Sequence, residues 1–285
     1  MLVRFLSLLL FLFASVAHAD DDAPLRRLLG ADEAEAWQAV GRINMEGAGF
    51  CTGALIAPNL VLTAAHCMYF KRTGKPIPAD KIHFLAGWRK GWAAAHRKAS
   101  RVVVHEDYDY GDANRLDRVA ADIALIELES PIRTSVITPF EPHKRPSPGD
   151  SVMVVSYAQE RSEVPSLQER CEMLGRQSAV LVLSCDVNYG ASGAPIFVVQ
   201  DGEPKIASVV SAMAEWNSRE VALGVSLGQP LERLRIQLDE SDPVYQAKAP
   251  KPGVSKLPQV GVAQDETADT GNGPTFRKVV TPPQR

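Results

Sequence analysis

The feature that most restricts the fold of this chain is a series of short apolar runs separated by turn-forming residues. The runs are rich in Val, Ile and Leu, with Gly, Pro, Asn and Asp between them, a pattern typical of short β-strands. Many short strands at such spacing predict a β-barrel or a β-sandwich. The runs are residues 61–63, 101–104, 123–128, 152–155, 180–183, 196–199, 206–211 and 221–227.

Two further segments divide and close this β-rich body. Residues 131–150 contain five prolines and have the composition of a connector between two β units. After this second unit, Leu231, Leu234 and Leu238 recur at helical spacing, which predicts a helix over 231–238. We expect this helix to pack on the second β unit.

Length and charge limit the class of protein. The chain has 285 residues, 45% of them hydrophobic, and a net charge of -3. This length can bury a substantial core, and the composition is that of a globular protein rather than a fibrous one. The slight negative charge provides no basic field for a nucleic acid partner.

The N-terminus has the pattern of a signal peptide. Arg4 precedes an apolar run over residues 5–16, and the small residues Ala17 and Ala19 come before three aspartates. This order predicts a signal peptide over residues 1–19, cleaved after Ala19. The run is too short to span a bilayer, which needs about 20 residues. We therefore expect an exported protein, periplasmic or secreted, with no membrane anchor after cleavage.

Both ends of the mature chain differ in composition from its body. Residues 20–36 are polar and Arg-containing, and they are interpreted as a leader segment that could be cut after Arg26 or Arg27. From residue 241 to 285 the apolar pattern disappears, and Pro and Gly recur. Such a segment cannot bury enough surface to offset its ordering entropy, which predicts a disordered tail.

The four cysteines predict disulfides. Cys51, Cys67, Cys171 and Cys185 all lie in the exported part, and an even count in an oxidising compartment indicates two bridges. Three pairings are possible; the pairing of sequence neighbours, Cys51–Cys67 and Cys171–Cys185, is the simplest. A zinc site is disfavoured because the chain has no Cys-x-x-Cys pair.

His66 is the candidate general base. The apolar run before it ends in the small residues Ala64 and Ala65, and Cys67 follows it directly. A nearby disulfide would attach this histidine rigidly. General-base catalysis favours rigid attachment, because the ring must keep its hydrogen-bond geometry to within about 0.5 Å.

Ser192 is the candidate nucleophile. Gly190 and Gly193 flank it, and glycine permits backbone angles that aim several N–H groups at one point. Such a point stabilises the oxyanion that forms when a serine attacks a carbonyl. The candidate oxyanion donors are the N–H groups of Gly190 and Ser192. The alternative is a Gly- and Ser-rich surface turn.

Asp122 is the candidate partner of His66. It directly precedes the apolar run 123–128. An aspartate there often forms a turn, but its carboxylate could also accept the Nδ1 proton of a histidine and fix the ring tautomer. Asp112 and Asp117 lie nearby, yet neither opens a hydrophobic strand, so Asp122 is preferred.

Taken in the order His, Asp, Ser, these segments resemble the signature motifs of the trypsin-like, or chymotrypsin-fold, serine proteases. The matching motifs are residues 63–67, 122–125 and 190–195, the last with substitutions. The resemblance covers roughly residues 37–238 and is greatest to compact bacterial secreted members, including the glutamyl-endopeptidase-like group.

The resemblance implies an all-β fold over residues 37–240. It predicts two antiparallel six-stranded barrels, at about 37–135 and 145–230, followed by the short helix. The active site is expected in the cleft between the barrels, with His66 and Asp122 from the first barrel and Ser192 from the second.

The resemblance also implies substrate contacts. Asp186 lies six residues before Ser192, the spacing at which trypsin carries a pocket-floor aspartate that selects Lys or Arg, and Ser211 is a second candidate substrate contact. Two departures alter this region. Ala191 stands where animal relatives carry an aspartate, and Asn188 replaces a usual cysteine, with Cys185 further upstream. The pocket wall is therefore expected to be built differently.

The activity that follows is that of a secreted serine endopeptidase acting on protein or peptide substrates through an acyl-enzyme. No metal or organic cofactor is implied. Two alternatives remain open: a non-catalytic binding protein on the same scaffold, and an esterase that uses the same triad.

Overall fold

The computed structural model describes residues 22–112, 115–143, 146–241 and 276–280. The predicted signal peptide and most of the predicted tail lie outside these ranges. Within the described ranges, no helix has the length and apolar character needed to cross a membrane.

The described part of the expected leader lies along the second half of the protein. Strand β1 (Arg26–Arg27) pairs with residues 166–167, and the side chain of Leu28 is completely buried. Helix α1 (Ala31–Glu35) then leads into the first barrel. Removal of the leader remains a prediction, and a cut after Arg27 would place the new N-terminus at a buried residue.

The first half of the chain forms a closed antiparallel barrel, with strands paired in the order β2-β3-β4-β7-β6-β5. Ile43, Leu55, Val61 and Ile126 are fully buried in its core, because alternate side chains of a small barrel point inward and fill it. The strands are β2 (Val40–Met45), β3 (Gly49–Ala57), β4 (Leu60–Thr63), β5 (Ile82–Ala86), β6 (Ala95–Val104) and β7 (Ala124–Leu128). Helix α2 (Arg115–Ala120) precedes β7.

The second barrel closes in the order β8-β9-β10-β13-β12-β11, with β11 returning to β8. Its strands are β8 (Ser151–Ser156), β9 (Ser166–Gln177), β10 (Val180–Leu183), β11 (Pro195–Gln200), β12 (Glu203–Trp216) and β13 (Arg219–Ser226). Strand β1 is added at β9, and β14 (Phe276–Val280) is added at β12. Residues 276–280, which belong to the predicted tail, thus pair their main chain with a sheet edge.

The predicted fold, two antiparallel six-stranded barrels with a C-terminal helix, is confirmed. The run 180–183 coincides with β10, and the other predicted runs fall within strands or overlap them. The barrel strands β2, β3, β5 and β9 lie outside the predicted runs. In β2 and β5, polar residues such as Arg42, Asn44 and His83 interrupt the apolar positions.

The C-terminal helix packs differently from the expectation. Helix α3 (Gly228–Glu240) buries Leu231, Leu234 and Leu238, as its spacing predicts. These leucines lie in one apolar cluster with Val103 and Leu125 of the first barrel. The helix contacts β6 and β7 of the first barrel, so the expected packing on the second barrel misses this interface.

Candidate active site

Strand β4 and a disulfide hold His66 in place. The strand ends at Thr63, two fully buried alanines follow, and a 3₁₀ turn over Ala65–Met68 carries the histidine. The Cys51–Cys67 disulfide ties this turn to β3, and Cys171–Cys185 forms the second bridge. The predicted neighbour pairing is thus confirmed. Because both sulfurs nearest His66 are bonded to each other, they cannot act as thiolate zinc ligands.

The carboxylate that meets His66 is that of Asp122, in the link between α2 and β7. One oxygen accepts the backbone N–H of His66 at 2.8 Å, and the other lies 2.7 Å from its Nδ1. The hydroxyl of Ser211 donates to this second oxygen at 2.5 Å. With only 2% of Asp122 exposed, these bonds fix the carboxylate. Nδ1 is then the protonated nitrogen, and Nε2 carries the lone pair.

The buried charge of Asp122 also acts on its surroundings. Burial raises the pKa of Tyr108 above its usual range, and the negative charge of Asp122 raises it further. This phenol therefore stays neutral. Ser211 lies 89 residues from Asp122 in sequence, and its hydroxyl bonds to the Asp122 carboxylate. The sequence instead predicts that Ser211 contacts substrate.

The segment between β10 and β11 holds Ser192. Its carbonyl accepts the N–H of Thr52 at 2.9 Å, and the N–H of Gly193 donates to Val210 at 2.7 Å. The Oγ of Ser192 is buried and has no hydrogen-bond partner among the described residues. It is thus positioned by its backbone, while its hydroxyl remains unengaged. Active-site bonds of this kind often tighten only when substrate is bound.

The two predicted oxyanion donors are also unengaged. In the described part of the chain, neither the N–H of Gly190 nor that of Ser192 donates a hydrogen bond. Gly190 has φ +97°, and a Cβ there would come within 2.5 Å of the ring of Phe50. A side chain at Gly190 would therefore disturb the loop as well as its backbone angle.

Local contacts order this loop. The hydroxyl of Thr52 donates to the carbonyl of Gly190 at 2.9 Å, and the N–H of Ala191 donates to Asn188 at 2.9 Å. The methyl group of Ala191 is fully buried in an apolar cluster. An ammonium ion inserted there would find no acid at position 191. Thr52 was not expected from the sequence, where its only signal is its place next to Cys51.

Asp186 lies in a different environment from the triad. It is exposed and borders a cavity of about 710 Å³ that the triad side chains do not line. Tyr189 and Met213 also line this cavity. Strand β12 connects the two regions, since it carries both Ser211 and Met213. The cavity therefore lies beside the triad rather than around it.

A buried cation counters the charge of Asp186. Arg161 is only 8% exposed, and its Nη1 donates to the carbonyl and hydroxyl of Ser156, each at 3.0 Å. Burial lowers the pKa of Arg161 to about 10, and the carboxylates of Asp186 and Glu160 oppose this shift. The positive charge of Arg161 thus lies within electrostatic range of Asp186. Nothing in the sequence separates Arg161 from an ordinary surface arginine.

Three known proteins with similar sequences are a trypsin, a tryptase and a coagulation factor. A mite trypsin, Trypsin Blo t 3 of Blomia tropicalis, is 29% identical over 212 residues, 66% of this chain and 73% of that protein. A mouse tryptase (Mus musculus) is 31% identical over 144 residues, covering 47% of this chain and 48% of the tryptase. Guinea pig (Cavia porcellus) coagulation factor IX is 28% identical over 123 residues, or 40% and 38% of the two chains.

Solved structures support the same fold. A Glu endopeptidase in complex with MPD matches with a TM-score of 0.61 at 18% identity, covering 74% of this chain and 96% of that one. A thermostable serine protease from an extremophilic microorganism matches with a TM-score of 0.57 at 18% identity, covering 72% and 99%. The family model described as Trypsin matches residues 30–225. The chain therefore belongs to the trypsin family of serine proteases.

Proposed function

We propose that the protein is an exported serine endopeptidase that works through a Ser-His-Asp triad of Ser192, His66 and Asp122. The observation that carries this proposal is the double hydrogen bond of the Asp122 carboxylate to the backbone and the Nδ1 of His66. Such a bond orients an imidazole as a general base. The unengaged hydroxyl of Ser192 and the two unengaged N–H groups beside it support the same activity.

Each group has one role in the proposed reaction. The Oγ of Ser192 attacks the peptide carbonyl while Nε2 of His66 takes its proton. The N–H groups of Gly190 and Ser192 stabilise the oxyanion, a contribution of about 10²–10³ in rate for a single donor. His66 then gives the proton to the leaving amine, and a water molecule hydrolyses the acyl-enzyme through the same steps. Asp122 stabilises the imidazolium, and Ser211 is a positioning residue for Asp122.

Specificity for basic residues is a weaker part of the proposal. Asp186 borders the cavity next to β12, where a substrate side chain could enter. Arg161 opposes its charge, and Arg219 also lines the cavity, bonded to Asp22 at 2.8 Å. We therefore expect only a modest preference for Lys or Arg over neutral residues.

Export is supported by the covalent structure. Two disulfides form and are maintained in oxidising compartments, and the N-terminal sequence has the pattern of a signal peptide. The proposal therefore places the enzyme in the periplasm or outside the cell, with protein or peptide substrates.

A fluorophosphonate probe tests the proposal directly, because it labels only an activated serine. We expect labelling of the wild-type protein and none of the Ser192→Ala variant, with unchanged thermal unfolding. A folded wild-type protein that is not labelled would favour the binding-scaffold alternative. Comparing hydrolysis of matched peptide and ester substrates then separates a peptidase from an esterase.

A further inference from the structure

Strand β12 has an edge that the second barrel leaves open. On one side of the strand, β13 pairs with it from Ser208 to Trp216, with a bulge between Val210 and Ala212. On the other side, the pairing with β11 ends at Val209. The main-chain groups of residues 213–216 on that side therefore need another partner, since an open edge is a template for a further strand.

The partner is a segment of the C-terminal tail. Strand β14 pairs antiparallel with this edge, so that Val280 lies opposite Met213 and Lys278 lies opposite Glu215. The residues of β14 are Phe-Arg-Lys-Val-Val, strand-forming in a tail otherwise rich in Pro and Gly.

The covered edge belongs to the region where substrate would bind. Met213 is two residues after Ser211, whose hydroxyl bonds to Asp122. Met213, Ala214 and Glu215 line the cavity that Asp186 borders. An extended peptide added to this edge would lie beside the triad, and its main chain would be held by the same groups that pair with β14.

We propose that Phe276–Val280 occupies the edge of β12 at which extended substrates would bind, so that the tail inhibits the protease by competing with peptide substrates. The inference rests on the proposed endopeptidase function, because it assumes that substrates use this edge. Helix α3 ends at Glu240 and β14 begins at Phe276, which leaves 276 − 240 − 1 = 35 residues as a tether. Because the segment belongs to the same chain, its local concentration at the edge is high, so even a weakly pairing strand can compete with substrate.

The docked segment can be disrupted without removing the tail. In an edge strand, successive N–H groups alternate between facing the neighbour and facing away. Two consecutive prolines therefore remove at least one bond to β12 whatever the register. The test variant is Lys278→Pro/Val279→Pro in the full chain. The matched control is Gly261→Pro/Val262→Pro, which adds two prolines to the tail outside β14.

Inhibition is measured with an extended peptide substrate. We expect KM to fall about tenfold in the Lys278→Pro/Val279→Pro variant, with kcat unchanged and the control variant equal to wild type. A synthetic peptide of residues 274–285 should inhibit the variant competitively. If wild type and variant hydrolyse peptides with the same KM, the inhibitory role is refuted while the endopeptidase proposal stands. A KM that rises with enzyme concentration would mean that the strand comes from a second copy, against an intramolecular occupant.

Amide hydrogen exchange gives a readout that does not depend on catalysis. We expect exchange at Met213 to Trp216 to be slower in wild type than in the Lys278→Pro/Val279→Pro variant, and unchanged in the control. Equal exchange in all three proteins would refute the docked strand, whether or not the protein hydrolyses peptides. Slow exchange in a wild type that no fluorophosphonate labels would instead support the strand and refute only the proposed catalysis.

Discussion

Replacing Gly193 with alanine tests how closely the nucleophile loop approaches the first barrel. Gly193 has φ +75°, and a Cβ there would overlap the hydroxyl of Thr63 and the carbonyl of Thr52, and lie 2.8 Å from the nitrogen of Ala64. Two of these groups are backbone atoms, which cannot rotate away. The left-handed backbone costs roughly 1–2 kcal/mol for a residue with a Cβ, and overpacking costs roughly 1–3 kcal/mol more. The expected total is about 2–5 kcal/mol of unfolding free energy.

Gly202→Ala provides the matched control. Gly202 lies in the turn between β11 and β12 with φ +82°, and a Cβ there would meet nothing within 4 Å. It should lose only the conformational part, about 1–2 kcal/mol. Both substitutions restrict the unfolded chain equally, so their difference isolates the overlap at Gly193.

Urea unfolding and hydrolysis of a peptide substrate measure the two consequences. Gly193→Ala should be about 1–3 kcal/mol less stable than Gly202→Ala. Its kcat/KM should fall about 100-fold, because a shift of about 1 Å in a reacting group can cost that much. Gly202→Ala should retain wild-type turnover. Equal unfolding midpoints together with full activity of Gly193→Ala would refute the close approach.

Four further predictions concern the triad and its surroundings. Ser211→Ala should lower kcat about tenfold with little change in KM, since it removes a hydrogen bond to a charged group; an unchanged kcat would contradict a positioning role. Turnover should be lost at acidic pH, because only neutral His66 can act as a general base; a pH–rate profile with an acidic optimum would contradict this. Arg161→Met should raise the ratio of kcat/KM for Arg over Leu substrates several-fold, because it removes a cation near Asp186. An unchanged ratio in a peptide-library digest would contradict this. A glycine added before an N-terminus at Leu28 should leave kcat intact, because position 191 carries no acid that could pair with an N-terminal ammonium ion. A lower kcat per active site, counted by active-site titration, would contradict this.

The amino-acid sequence by itself determined the local features of this protein. The apolar runs predicted strands such as β10, and the leucine spacing predicted α3. Both predictions were possible because the spacing of buried side chains depends on residues that are close in sequence. Proximity along the chain favoured the pairing of cysteines 14 and 16 residues apart, but it left the two other pairings open. The segments around His66, Asp122 and Ser192 were identified for the same reason, since each is a short local motif.

Tertiary structure alone decided the contacts between distant segments. The bond from Ser211 to Asp122 spans 89 residues, and it depends on how the two barrels are placed against each other. The buried position of Arg161 and the packing of α3 across both barrels arise in the same way. The docking of Phe276–Val280 is decided by an open edge 60 residues earlier, on β12. No local pattern encodes these contacts, because each partner alone has the sequence of an ordinary surface residue or strand, and only the closed barrels bring the partners together.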